Sequence, residues 1–266
     1  MVDAARGLLA CPVCAAPLDV AARPVRCPAG HSFDVARQRY VNLAGAAPPA
    51  NADTAPMVDA RARVLDSGAF DAVDAALARR LRGSRVVLDA GGGTGHHLAR
   101  LLDAAPDARG VNLDVSVPAA RRAARAHGRL ASVVANTWGT LPLLPRRFDA
   151  VLCVFAPRNM AEFARVLGDG GLLVVVTPDP EHLASVRERY GLLGIEPDKD
   201  DRLLRAASAR FTPVARERVR APLAASPALV ADLIGMGPNA FHGAPTTVDA
   251  LDTEVAVSVW LFRRAG

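Results

Sequence analysis

Lysine is almost missing from this chain. Of 32 basic side chains all but Lys199 are arginine, so a formal charge of +5 is carried by guanidinium groups. Guanidinium is the better fork for phosphate oxygens, and a basic balance favours a polyanionic partner. So much arginine beside so much alanine equally suits a GC-rich coding bias. Aromatic residues are scarce at 5%, but a hydrophobic content of 51% supplies a packed core of Ala, Val and Leu and excludes a disordered chain. No apolar run approaches the roughly 20 residues of a membrane span. MVDAARGLLACPVC lacks the apolar centre of a secretory signal, so a cytoplasmic protein without membrane contact is expected. Internal repeats are absent as well.

At 266 residues the chain fits a principal domain of roughly 200 residues with a small appendage. Three of its four cysteines fall in that appendage, where Cys11 and Cys14 form C-x-x-C and Cys27 with His31 forms C-x-x-x-H. Three thiolates and an imidazole make a closed tetrahedral zinc set, structural because no position remains for water. A segment this short could hardly bury a sufficient core without metal. Arg23, Arg26, Arg37 and Arg39, interleaved with Phe33 and Tyr40, suit either RNA contact or a solvated basic face. The expected division is a zinc-binding module at 1–43, a linker at 44–56 stiffened by Pro48 and Pro49, and a larger domain at 57–266.

The strongest local signal is VVLDAGGGTGHHLARLL, residues 86–102: three apolar residues, an acid, a glycine run and an amphipathic helix. This strand–loop–helix unit is a nucleotide-binding turn. Its spacing is not the dinucleotide G-x-G-x-x-G. It resembles the first motif of the class I S-adenosylmethionine (SAM) methyltransferases, D-x-G-x-G-x-G, matched by Asp89, Gly91, Gly93 and Gly95. Further expectations follow along the chain. Residues 57–81 are helical with an interruption at 66–70. A second strand at 110–115 ends in Asp114, placed to accept ribose hydroxyls. Ser116 caps a helix bearing Arg121, Arg122, Arg125 and Arg129. A third strand at 133–135 leads to Asn136, whose side-chain carbonyl can accept from an adenine amino group. Strands at 148–155 and 172–177 flank a helix at 159–167, and Cys153 reads as core. Next come a helix containing His182, a polar loop around 196–202, a strand at 211–223, a helix at 226–234 and a final strand at 254–262. An antiparallel last strand would suit the class I architecture, a Rossmann-like α/β fold with a mostly parallel sheet.

The combined text CPVC…CPAGHSFDVARQRYVNL, ADTAPMVDARARVLDSGAF, VVLDAGGGTGHHLARLL, VFAPRN and TPDPEHL is similar to the 23S rRNA guanine-N1 methyltransferases, in the branch associated with tylosin and related macrolide resistance. The resemblance implies methyl transfer from SAM to N1 of a guanine in a 23S rRNA hairpin loop near the macrolide site of the peptide exit tunnel. It also implies a homodimer. By motif match Cys11, Cys14, Cys27 and His31 would bind zinc. Phe70, Gly93, Thr94 and His182 would contact SAM, with Asp89, Gly91 and Asp114 in support. Relatives often carry Tyr where Phe70 stands, so only packing or stacking carries over there. No NPPY-type motif is present, and no side chain is singled out as the general base. A small-molecule methyltransferase and an RNA-binding protein with impaired catalysis are the competing readings.

Overall fold

The computed structural model describes residues 2–265, apart from 22, 46–48, 50–51, 197, 243–244 and 246. Part of the expected linker, including Pro48, therefore lies outside the described residues. In chain order the elements begin with α1 (Val2–Ala5), β1 (Val25–Arg26), β2 (Ser32–Phe33) and β3 (Tyr40–Asn42). Two helices follow, α2 (Ala55–Asp66) and α3 (Asp71–Arg80), then β4 (Val86–Ala90), α4 (His96–Ala104), β5 (Arg109–Asp114), α5 (Val117–Ala126) and β6 (Leu130–Val134). The remainder comprises β7 (Phe148–Val154), α6 (Met160–Val166), β8 (Leu167–Pro178), α7 (Ala184–Tyr190), α8 (Lys199–Ala207), β9 (Phe211–Ala225), α9 (Pro227–Gly235) and β10 (Leu251–Arg264).

Alternating strands and helices of this length build a parallel sheet with helices on both faces. The strand order is β3-β6-β5-β4-β7-β8-β10-β9, parallel from β3 to β8. β10 inserts between β8 and β9 and is antiparallel to both. Period-two alternation sorts the side chains into two cores. Along β7, Val151 and Cys153 join the core shared with α1 and α6, while Ala150, Leu152 and Val154 join the one shared with α2, α3 and α9. The buried face of α5 is alanine alone, Ala119, Ala120, Ala123 and Ala124, which lets it lie close to the sheet. Ser116 caps it by accepting from the Ala119 N–H at 3.3 Å.

The N-terminal segment is stitched into this sheet. β3 pairs in parallel with β6 through Tyr40, Val41 and Asn42. Leu9 bridges Leu143, the Ala10 N–H donates to the Pro142 carbonyl at 3.0 Å, and the Leu144 N–H donates to Leu8 at 2.8 Å. Main-chain bonds, not side-chain contact alone, hold it against the larger unit.

Several local expectations are corrected. His182 lies ahead of α7, in the turn where its N–H donates to the Asp179 carbonyl. The polar stretch expected as loop enters α8 at Lys199, with Asp200 and Asp201 favourably placed in the first turn. The third strand begins at Leu130, and β8 starts at Leu167 and runs through the glycine-rich 168–171. Arg129 is outside α5; its guanidinium donates to the Leu102, Ala105 and Ala108 carbonyls, closing the C-terminal end of α4. Arg129→Ala is expected to destabilise the protein by about 2–3 kcal/mol, because three carbonyls lose a charged donor. Arg121→Ala, on the exposed face of α5, should stay within about 0.5 kcal/mol, both variants being read by urea titration against wild type.

Candidate functional site

The turn from β4 into α4 sits at the C-terminal edge of the sheet centre. Gly91, Gly93 and Gly95 take φ of +75°, +52° and +76°. Gly92, between them, is constrained by space: a Cβ there would lie 2.1 Å from Asn112 Oδ1 and 2.5 Å from Asp89 Cγ. Beneath it both oxygens of the buried Asp89 carboxyl group, and Asn112 Oδ1, have no hydrogen-bond partner among the described residues. Burial, reinforced by the negative charges of Asp114 and Asp74, pushes Asp89 up to about 8. These acceptors suit a cationic, hydrogen-bond-donating group, which the ammonium of a methionyl moiety supplies. Asp114 lies at the end of β5. Its Oδ2 accepts from the Gly93 N–H at 2.9 Å and its Oδ1 from the Ser116 N–H at 2.8 Å. Burial raises its pKa, and those two N–H groups oppose the rise. Thr94 is buried in the same turn.

A strap crosses this loop. Arg61 of α2 pairs with Asp53, donates to the Met236 carbonyl at 2.7 Å, and stands 3.2 Å from where a Gly93 Cβ would be. Ser116 Oγ donates to the Asp53 carbonyl at 2.7 Å.

Beside the loop, four rings meet. Phe70 is in edge contact with Phe155 at 6.1 Å, His182 at 6.2 Å and His97 at 6.4 Å, and Phe155 lies 5.6 Å from His182 at 30°. Phe155, directly after β7, holds the left-handed φ of +52° and is still 43% exposed. Backbone strain of this kind persists where the surrounding structure imposes it and concentrates at functional sites. Burial holds His182 down at about 4, with Arg187 and Lys199 adding to the effect, so its ring is neutral near pH 7. Its Nδ1 lies 3.3 Å from the Ala256 N–H, which assigns the proton to Nε2. Behind the rings Asp74 is buried between two imidazoles, at 3.0 Å from His96 Nε2 and 2.6 Å from His97 Nδ1. Burial alone would raise Asp74, but those hydrogen bonds outweigh it and hold it at about 2.

At the mouth, the β7–α6 loop carries Arg158 and Asn159. Arg158 has a buried Nη1 without an acceptor. Lys199 is held below its ordinary range by burial and by the Arg158 charge, so two cations stand close together here. Asn136 is exposed and its Oδ1 already accepts from the Trp138 N–H at 2.9 Å, leaving one lone pair free. Cys153 is buried, its thiol pushed up to about 12, consistent with plain core.

The cysteine cluster has the dimensions of a metal site. Cys14 Sγ and Cys27 Sγ are 3.7 Å apart, and His31 Nδ1 is 3.3 Å from Cys27 Sγ and 3.6 Å from Cys11 Sγ. A tetrahedron with the usual Zn–S and Zn–N lengths has edges of about 3.8 Å between sulfurs and about 3.6 Å from sulfur to nitrogen. The four donors therefore fit zinc, and no position is left for a substrate. Arg23, Arg26, Arg37 and Arg39 around it are exposed.

Comparison with known proteins agrees with this geometry. Residues 9–46 match the zinc-ribbon family described as RlmA, N-terminal, and residues 87–171 match a methyltransferase-domain family. A protein of Streptomyces fradiae named 23S rRNA (guanine(748)-N(1))-methyltransferase is 47% identical over 243 residues, 89% of this chain and 87% of its own. One of Micromonospora griseorubida, assigned as a 23S rRNA (guanine-N(1)-)-methyltransferase, is 47% identical over 264 residues, 91% of this chain and 90% of its own. This chain belongs to the 23S rRNA (guanine-N1)-methyltransferase family. The fold is also that of a SAM dependent methyltransferase from Aquifex aeolicus, with a TM-score of 0.50 at 11% identity over 79% of this chain and 98% of that one.

Sequence reasoning did not find Asp74, Asn112, Gly92, Phe155 or Trp138. The first two are separated in sequence from what they touch, and only the sheet and the α3–α4 contact bring them in. Phe155 had a signal, an aromatic residue at the end of a buried strand, but nothing marked it as exposed.

Two tests follow. Asp89 moves from 3.8 when unfolded to about 8 when folded, so the native state binds the extra proton between those values. Stability of the ligand-free protein should then fall as pH rises from about 4 to 8, by up to ~1.4 kcal/mol per unit. Asp89→Asn should flatten that slope in urea titrations across the range. Metal analysis should find about one zinc per chain, lost in Cys27→Ser together with thermal stability.

Proposed function

We propose that this enzyme transfers the methyl group of SAM to N1 of a guanine in a 23S rRNA hairpin loop near the macrolide site of the peptide exit tunnel, conferring tylosin-type macrolide resistance. The observation that carries the reading is the pairing of unmet buried acceptors beneath Gly92 with the exposed, strained Phe155 at adjoining strand ends. Family membership supports the substrate. SAM, when bound, supplies an electrophilic methyl on a sulfonium. Asp89, Gly91, Gly93, Thr94, Gly95 and Asp114 form its cradle, with Asn136 toward the adenine and Phe70 and His182 toward the methionine end. Cys11, Cys14, Cys27 and His31 hold a structural zinc.

Neutral His182 adds no positive charge beside a sulfonium, whereas a protonated imidazole would repel it. Held near 4, with Nδ1 already accepting from Ala256, it is a weak base, so its part is positioning and not removal of the N1 proton. The exposed Phe155 ring, backed edge-on by the buried Phe70, orients a planar base and excludes water from the transfer. Arg158, Lys199 and the exposed arginines favour a polyanion over a small neutral substrate. A homodimer, with the zinc modules completing an RNA cleft, belongs to the same reading.

Labelled SAM and unmethylated 23S rRNA test it, with primer extension to find the base, since N1 methylation blocks pairing. The expected result is label in the rRNA and a stop in the macrolide-site hairpin. SAM binding without rRNA labelling would overturn the reading in favour of a small-molecule substrate.

A further inference from the structure

Trp138 is 70% exposed, and it is one of only two tryptophans in the chain. An indole left in water usually finds cover or a partner. Its loop is nevertheless fixed. Asn136 Oδ1 accepts from the Trp138 N–H at 2.9 Å, and Asn159 Nδ2 donates to the carbonyls on both sides, Thr137 at 3.1 Å and Gly139 at 3.0 Å. Thr137 itself is buried. Three hydrogen bonds thus hold the backbone while the ring stands free, the arrangement of a rigid aromatic platform.

Its place is equally specific. Asn159 ties the loop to the segment that carries Phe155 and Arg158, so Trp138 borders the methyl-transfer centre. On the other side the chain runs directly into Pro142 and Leu143, which are hydrogen-bonded or bridged to Ala10 and Leu9 beside the Cys11 knuckle. Trp138 therefore sits in the segment that is hydrogen-bonded to the zinc-bearing ribbon at one end and to the β7–α6 loop at the other. The Arg158 Nη1 in the adjoining segment is a buried donor with no acceptor among the described residues, and guanine O6 or a phosphate oxygen would meet it.

We propose that Trp138 stacks on an unpaired base of the rRNA loop and positions the target guanine over the site. The proposal rests on the reading of 23S rRNA as substrate. A planar, sequence-tolerant π-face is what an unstacked loop base needs when it is drawn out of its neighbours' stack.

The test compares wild type, Trp138→Ala and Trp138→Phe on an unmethylated 23S rRNA transcript. For Trp138→Ala the Kd and KM for rRNA should rise about tenfold, equivalent to ~1.4 kcal/mol and within the range for base–aromatic stacking. SAM affinity and Tm should be unchanged, and Trp138→Phe should recover most of the loss. Fluorescence supplies an independent readout. Trp260 is 6% exposed, with the Arg216 guanidinium 4.5 Å from its ring, so quenching on adding rRNA reports Trp138 and should vanish in Trp138→Phe. Unchanged rRNA Kd and KM in Trp138→Ala, or unchanged quenching in Trp138→Phe, would overturn the proposal while wild-type methylation left the substrate intact. Wild type that neither binds nor methylates the transcript would overturn both together.

Discussion

The structure depends on how closely the β4–α4 turn can approach the two strands beneath it. Gly92 sits over Asp89 and Asn112 with no room for a single carbon, and Gly91 is equally tight against the next strand's loop, where a Cβ would lie 2.6 Å from that of Ala156. The turn lies where strand order reverses, with β5 on one side of β4 and β7 on the other. Open α/β sheets bind ligands at that crevice because the loops leaving the two neighbouring strands part there. Here the parting loops deliver Asp114 from one side and Phe155, Arg158 and Asn159 from the other. The glycines let the β4–α4 turn share a wall with both.

Charge is distributed by burial. Inside, Asp89 and His182 are kept uncharged near neutral pH: Asp89 is raised and His182 is lowered, each chiefly by burial. A cation entering this space meets an acid ready to release its proton and an imidazole with no charge to repel it. Asp74 is the exception, ionised but enclosed by His96 and His97, whose rings thereby become fixed walls behind Phe70. Beside the β7–α6 loop, the half-buried Arg158 and Lys199 bring two positive charges together. A cofactor that becomes neutral at sulfur after transfer and a polyanionic substrate thus encounter different fields within one crevice.

Much of this was legible because local signals and global fold agree. The D-x-G-x-G-x-G spacing, the acid ending β5, the cap at Ser116 and the C-x-x-C with C-x-x-x-H are each readable within a few residues, and family resemblance supplied Phe70 and His182. What escaped depends on long-range contact. Asn112 is an unremarked polar residue inside an apolar strand until β4 and β5 pair and place it under Gly92. Arg129 reads as one more basic residue on a helix, whereas the end of α4 recruits it. The start of α8 at Lys199 was hidden by polarity: KDDR has no apolar period of its own, and the helix is defined by Leu203 and Ala207 packing on the sheet.

The N-terminal segment shows why a zinc module belongs on this fold. A small ribbon without a core of its own could be tethered anywhere by a flexible linker, yet β3 extends the main sheet and Leu8, Leu9 and Ala10 engage residues 142–144 through the backbone. The metal orders the knuckles, and the sheet fixes their position relative to the crevice. The loop bearing Trp138, anchored by Asn159, runs into those hydrogen-bonded residues. The ribbon and the crevice are therefore held at a fixed separation. A guanine's own edges are shared by every other guanine in an rRNA, so a family that modifies one guanine has to read features beyond the target base, and a fixed geometry between two parts of the protein is one means of doing so.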